Sequence, residues 1–470
     1  MATRGELALV LMAAGKGTRM RSRLPKVLHP VCGRPILMHA LELGRELGAK
    51  RRVVIVGSGE EQVREALAGD EGHADVELVR QTEQRGTAHA ALAAKAALAS
   101  HDGPVLVMNG DHPLYRARTF QAMRESFGRG KADLEILVTD MPNPTGYGRV
   151  LRDAGGRIAR VVEELELSDT MKRLTEVNLG AYLADSRFMF ELLDRVRDDN
   201  EKGEFYITDV VEIARQLGKS VESARADDWC ESLGINTRME LARAEALMRE
   251  RLVDKLMKEG VTLADPETTY VEVDVEVGED TVIAAGAVIR KGVRIGANCR
   301  IDPGVVIEDS VLGDDVWLKP GCYIEGSKIA DRCILGPNAH LRPGSDIRED
   351  VRIGNFVEIK NSVIGRGTKA DHLSYIGDAD VGEKATFGCG SIVVNYDGEK
   401  KTRTTVGDRA FIGCNSNLIA PVTIEADAYV GAGSTITKTV PSGALGVARA
   451  EQRNIEGWRK RRFKAGSHDQ

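Results

Sequence analysis

"VRIGANCRIDPGVVIE", residues 293–308, sets Ile295, Ile301 and Ile307 six positions apart, each preceded two positions earlier by a smaller residue: Val293, Cys299 and Val305. Six is a multiple of the strand period of two, so both positions point to one side of a short extended segment, while Arg294 and Arg300 point to the other. The remaining positions favour Gly, Asn, Pro and Asp, which bend the chain after each short strand. A unit this small cannot bury its apolar side alone. It must stack on copies of itself, and the stretch predicts a solenoid of short strands.

The spacing runs outward in both directions. Upstream it takes in Val277, Ile283 and Ile289; downstream it resumes, with slips of phase, at Leu312, Leu318 and Ile324, then at Ile329, Leu335, Leu341, Ile347, Ile353 and Ile359. After a break it returns at Val406, Ile412, Leu418, Ile424, Val430 and Ile436. Cys299, Cys322 and Cys333 fall in the small inward slot and read as core filler, whereas Cys389 and Cys414 lie outside it. The break holds a polar insertion, "NYDGEKKTRTT" (395–405), which is either a tolerated loop or part of a site.

Ahead of the repeats, "TRMELARAEALMRERLVDKLMKEG" opens with Thr237 three positions before Glu240, the spacing of a capping box, and runs without Pro or Gly to Gly260. It predicts a connecting helix with an apolar stripe of Leu241, Ala244, Met248, Leu252 and Leu256. Up to Asn236 the chain alternates aliphatic runs ("LALVLMAAG", "RRVVIVG", "GPVLVMNGD", "LEILVTD") with amphipathic segments, the pattern of an α/β domain with a mostly parallel sheet. Ligands of such sheets sit beyond the carboxyl ends of the strands, where the glycine loop after the first run and the "NGD" fall. The expected division is an α/β domain over 1–236, a linker helix over 237–260, the solenoid over 261–450 and a basic tail over 451–470, in which Trp458 would dock on a neighbouring chain.

The glycine loop lies in "LVLMAAGKGTRM" (9–20). A dinucleotide fingerprint needs glycine where Met20 stands, and a P-loop needs a wider spacing than Gly15, Lys16, Gly17, Thr18. What remains is a turn whose backbone can close on phosphate, with Lys16, Arg19 and Lys26 supplying charge. Lys plus Arg total 65 against 71 Asp plus Glu, a net charge of -6, which disfavours a nucleic-acid binder. Seven cysteines with no CxxC pair suggest a reducing compartment, and the apolar run Leu7–Ala14 is too short to span a bilayer. A soluble, cytoplasmic protein with no membrane partner is expected.

The wider stretch "LMAAGKGTRMRSRLPKVLHPVCGRP" resembles the signature of the sugar-1-phosphate nucleotidyltransferases. "QTEQRGTAHA", "MNGDHPL", "PTGYGR" and "EVNLG" follow in the order of one branch, the bacterial bifunctional N-acetylglucosamine-1-phosphate uridyltransferases and glucosamine-1-phosphate acetyltransferases, whose second half is also built of hexapeptide repeats. The resemblance covers essentially the whole chain. It implies a Rossmann-like nucleotidyltransferase domain followed by a left-handed parallel β-helix. It also implies acetyl transfer from acetyl-CoA to glucosamine-1-phosphate, then uridylyl transfer from UTP to N-acetylglucosamine-1-phosphate, in a homotrimer feeding cell-wall synthesis.

By that resemblance, Met12, Ala13, Ala14 and Gly15 would hold nucleotide, Arg19 and Lys26 would neutralise the UTP phosphates, and Gln81, Gly86 and Thr87 would read the uracil. Asp111 and Asn236 would hold Mg2+, and Gly148, Glu163 and Asn178 the amino sugar. In the repeats, His372 would be the general base, Arg342, Lys360, Tyr375 and Thr386 would bind glucosamine-1-phosphate, and Cys389, Asn395, Tyr396, Cys414, Ala432 and Arg449 would contact acetyl-CoA. Where relatives commonly read "NIGAG", this chain has "TFGCG", so Thr386 and Cys389 replace an Asn and an Ala. The alternative is a single-activity nucleotidyltransferase whose β-helix only oligomerises; a non-catalytic exchange-factor relative would not need Asp111, Lys26 and Asn236.

Overall fold

The computed structural model describes residues 5–57, 59–69 and 71–459. Two compact units divide between Arg251 and Leu252, inside the helix Arg238–Lys258. Most of the expected basic tail, 460–470, lies outside the described residues; Trp458 is exposed.

The first unit is built on strands β1 (Ala8–Met12), β2 (Arg51–Val56), β3 (Glu77–Arg80), β4 (Pro104–Asn109), β5 (Leu134–Asp140), β6 (Arg149–Arg152), β7 (Ile158–Val162), β8 (Glu176–Asp185) and β9 (Val221–Arg225). The main order is β9-β5-β8-β4-β1-β2-β3, with β6 and β7 as a hairpin beside β8. β1 is buried throughout because it runs parallel between β2 and β4, with packed side chains on both faces. β8 alone in the main sheet runs antiparallel to both neighbours. The carboxyl ends of β1 and β4 therefore lie side by side, joined by Gly110 N–H donating to the Met12 carbonyl at 3.0 Å.

The start of the connecting helix carries the capping box: Glu240 N–H donates to Thr237 Oγ1 (3.2 Å), and Glu240 Oε2 accepts from the backbone of Thr237 (2.8 Å) and Asn236 (2.7 Å). Leu241, Ala244 and Met248 pack with Met20, Val31, Ile36 and Ile235. Further along, Val253 and Leu256 join the core of the second unit.

That unit is a parallel β-helix. Strands of mostly two residues pair in register one coil apart: Ile283 lies beside Ile301, Ile301 beside Leu318 and Leu318 beside Leu335. The first coil step is eighteen residues and the next two are seventeen, which accounts for the slips of phase: one corner loses a residue. Each corner needs a left-handed residue, supplied in one column by Asp280, Asn298, Asp315, Arg332 and Asp350 at φ near +60°. Side chains inside the coils are mostly apolar, with Cys299, Cys322 and Cys333 buried among them and small hydroxyls such as Ser327, Ser345 and Ser362 bonded to coil carbonyls. Thr404 and Thr405, expected in the polar insertion, are again strand (Thr404–Val406), so the excursion is confined to Asn395–Arg403.

Candidate active sites

In the first unit, two adjoining clefts of about 380 and 390 Å³ share Thr87, Asn109 and Asp111. One is lined by Met12, Ala13, Ala14, Gly15, Lys26, Gln81, Gly86 and Thr87; the other by Arg19, Gly148, Glu163, Asn178 and Asn236. All the nucleotide, sugar and metal candidates thus come together. Gly17 has φ +57°, and a Cβ there would stand 2.8 Å from Lys26 Cβ, so the glycine loop is shaped around the lysine.

Lys26 Nζ donates to Asp111 Oδ2 at 2.5 Å and to Asn236 Oδ1 at 2.9 Å. The other Asp111 oxygen meets His112 Nδ1 at 2.7 Å. Burial opposes ionisation of Asp111, yet the Lys26 ammonium and His112 outweigh it and hold the carboxyl well below its usual range. Asn236 is set by the capping box that fixes its backbone.

Ala13 N–H donates to the Ile55 carbonyl (2.9 Å), so what Ala13 offers a ligand is its carbonyl, narrower than the expected backbone cradle. Gln84, absent from the sequence reading, donates to the Ala14 carbonyl (2.5 Å) and clamps the loop. Gln81 Nε2 lies 3.0 Å from His89 Nδ1 at the helix that Thr87 begins.

In the sugar half, Glu163 Oε1 accepts from Thr208 Oγ1 (3.1 Å), and burial raises its carboxyl. Its neighbour Glu164 turns instead to the buried Arg149 (3.1 Å). Asn178 Nδ2 donates to Tyr182 OH (2.7 Å), leaving Asn178 Oδ1 buried and without a hydrogen-bond partner among the described residues, an acceptor available to a ligand hydroxyl or amide.

The β-helix holds a second group. His372 Nδ1 lies 3.1 Å from Asn355 Oδ1, one coil away in register. With that oxygen as acceptor, Nδ1 carries a proton, and in the neutral imidazole Nε2 is then the basic nitrogen. Phe356 and Leu373, which follow Asn355 and His372, are bulky residues held at φ +57° and +31° in the corner column where neighbouring coils use Gly or Asn. The register Ala370, Phe387, Ile412, Val430 puts His372, Cys389, Cys414 and Ala432 at one corner of four successive coils. Backbone bonds from Asn415 to Cys389 and from Gly433 to Cys414, each 2.8 Å, knit that column. At about 4.8 Å per coil, it is roughly 14 Å long. Arg449 follows the last strand, Leu445–Gly446.

Lys360, Tyr375 and Asn395 meet around a residue the sequence reading missed, Asp378. It accepts from Asn361 Nδ2 (2.6 Å) and from Asn395 Nδ2, and lies 4.0 Å from Lys360 Nζ. Burial works against its charge, but the two amides and the Lys360 and Lys401 ammonium groups hold the carboxyl below its usual range. Asn395 also lies 3.4 Å from Tyr375 OH, so it turns toward the glucosamine-phosphate candidates, whereas Tyr396 stays exposed. Arg342 pairs with Glu358 (2.9 Å). Thr386 is not brought to this cluster within the chain; it stands between Lys369 and Phe411 on another face. Asp378 gave no sequence signal because an Asp at a solenoid corner is an ordinary turn residue.

Among the described residues no helix is long and apolar enough to cross a membrane. Residues 9–177 match the MobA-like NTP transferase domain, and 274–309 and 403–438 match the bacterial transferase hexapeptide repeat. The chain is 47% identical to the bifunctional protein GlmU of Listeria welshimeri over 96% of its length and 98% of the relative's. It is 46% identical to that of a Geobacillus species over 96% of each. A Rossmann-like nucleotidyltransferase unit followed by a left-handed β-helix of hexapeptide repeats, it belongs to the family of bifunctional GlmU proteins.

Proposed function

We propose that the chain makes UDP-N-acetylglucosamine in two steps, acetylating glucosamine-1-phosphate on the β-helix and then uridylylating the product in the α/β unit. The observation that carries the bifunctional reading is the column from His372 to Ala432 together with the Asp378 cluster. A solenoid that only oligomerises needs neither.

In the acetylation step, His372 Nε2 takes a proton from the amine of glucosamine-1-phosphate as its nitrogen attacks the acetyl carbonyl. The C–N bond forms, the C–S bond breaks, and coenzyme A leaves as a thiolate. Lys360, Arg342 and Tyr375 hold the acceptor's phosphate, and the coenzyme lies along the corner past Cys389, Cys414 and Ala432 toward Arg449, with Tyr396 of the inserted loop contacting it and Asn395 joining donor and acceptor sides. Thr386 meets the sugar from a second chain of a homotrimer.

In the uridylylation step, a phosphate oxygen of N-acetylglucosamine-1-phosphate attacks the α-phosphorus of UTP and pyrophosphate leaves, so no protein nucleophile is required. Arg19 and Lys26 hold the phosphates, Gln81, Gly86 and Thr87 the uracil, and Gly148, Glu163 and Asn178 the sugar. That Asp111 and Asn236 oxygens converge on one cationic atom supports a divalent metal there, Mg2+ in our reading. Asp111 and Asn236 would hold it through hard oxygen donors, which suit that ion. When bound, it neutralises charge on the phosphates. The test is thiol release from acetyl-CoA, alongside UTP-dependent pyrophosphate release, in wild type and His372→Ala. Loss of the first alone upholds both activities; thiol release that survives in the variant, or is missing from wild type, removes the acetyltransferase role of His372.

A further inference from the structure

The Lys26 ammonium sits on the same two oxygens that the reading above gives to the metal: Asp111 Oδ2 at 2.5 Å and Asn236 Oδ1 at 2.9 Å. Lys26 is buried, at 8% exposure, and its stem is held against the glycine loop at Gly17. An ammonium and a divalent metal cannot share one pair of oxygens at these distances, since like charges repel and each needs the lone pairs the other uses. Nor can Lys26 simply withdraw, because an uncompensated carboxylate in this partly closed position would be costly.

We propose that Lys26 is a tethered placeholder cation: it occupies the metal position in the free protein, keeps free divalent metal out, and gives the position up only to metal arriving with nucleotide. Triphosphate brings what the exchange needs. Its oxygens offer the displaced ammonium new acceptors while the metal takes over Asp111 and Asn236, so the local charge stays balanced throughout. Metal and nucleotide therefore bind as a unit, and the glycine loop packed against Lys26 senses both.

The inference rests on the assignment of Asp111 and Asn236 as metal ligands, and the test separates the two. Mn2+ binding and thermal unfolding are measured on the full chain without nucleotide, for wild type, Lys26→Met, Asp111→Asn and Lys26→Met/Asp111→Asn, and Mn2+-UTP binding for wild type and Asp111→Asn. The expected result is that Mn2+ alone leaves wild-type Tm unchanged. Lys26→Met unfolds several degrees lower and is restored by Mn2+, which it binds at least about tenfold more tightly than wild type. The double variant regains Tm without metal and loses the Mn2+ response. If wild type and Lys26→Met bind Mn2+ equally well and Asp111→Asn abolishes that binding, the placeholder role is overturned and the metal assignment stands. If Lys26→Met shows no Mn2+ response and Asp111→Asn binds Mn2+-UTP like wild type, both fall.

Discussion

The two halves assemble their sites in opposite ways. In the α/β unit, residues far apart in sequence are folded into a cleft where charges are paired before any substrate arrives: Lys26, Asp111 and Asn236 form a closed set, and Gln84 pins the loop above them. In the β-helix, the candidate residues are spread over an open surface, with Leu373 59% and Phe356 58% exposed beside His372 and Asn355, and Asp378 and Asn395 buried at another corner. The cores differ as well. The solenoid interior stacks aliphatic ladders beside small buried hydroxyls such as Ser327, Ser345 and Ser362, while the α/β unit tolerates a fully buried carboxyl, Glu135. An irregular fold can concentrate and desolvate charge; a periodic one can align groups but leaves a face of its site to be supplied from outside.

The sharpest way to break this contrast is to delete one site and ask whether the other notices. Asp111→Ala is expected to lower uridylyl transfer by about 10³-fold or more while acetyl transfer stays within about twofold, measured as pyrophosphate and thiol release on the same preparation. A parallel loss of both in folded protein would show the halves to be coupled. The reciprocal change, His372→Ala, should cost acetyl transfer about 10²- to 10⁴-fold and leave pyrophosphate release untouched.

Asp378→Ala probes whether the open site contains a buried organiser of its own. Without the carboxylate, Asn395 and Lys360 lose their shared partner. The KM for glucosamine-1-phosphate should rise about tenfold with a smaller fall in kcat, a cost of about 1.4 kcal/mol. An unchanged KM would demote Asp378 to a corner residue.

Glu135→Gln tests the difference between the cores. Burial raises the Glu135 carboxyl to about 7, above its value in the unfolded chain, so the unfolded state releases its proton first and stability falls as pH rises from about 4.5 to 7. The variant should be more stable than wild type at pH 8, by about 3 kcal/mol, with the advantage gone at pH 4.5. Urea midpoints across that range would show it, and parallel profiles for the two proteins would refute it. The smallest effect is expected from Thr386→Asn, which restores an amide donor and acceptor: the KM for the amino sugar phosphate should drop about two- to threefold in acceptor titrations.

Much of this was legible in the residues. The period of six carried the solenoid, and the Thr237–Glu240 spacing carried a capping box that also steadies Asn236. What stayed hidden depends on distances that only a register supplies. Asn355 supports His372 from seventeen residues away, a partnership visible once the length of that coil is known. Lys26 and Asp111 are 85 positions apart, and no local pattern announces that the two share a bond. The α/β elements were readable from their aliphatic runs, but not the antiparallel β8, whose direction is fixed by the path of the chain and not by its side chains.

The column that runs from His372 to Ala432 also makes the solenoid a ruler. In the proposed reading, with the donor lying along this column, every coil above His372 adds one rise of about 4.8 Å to the span available for a long, flexible donor, while coils below it add none. Gain or loss of a whole repeat near residues 283–335 would thus be neutral for catalysis, and the same event between Phe387 and Val430 would change which donor length fits. Donor specificity in such a fold can evolve by counting repeats, without redesigning the pocket.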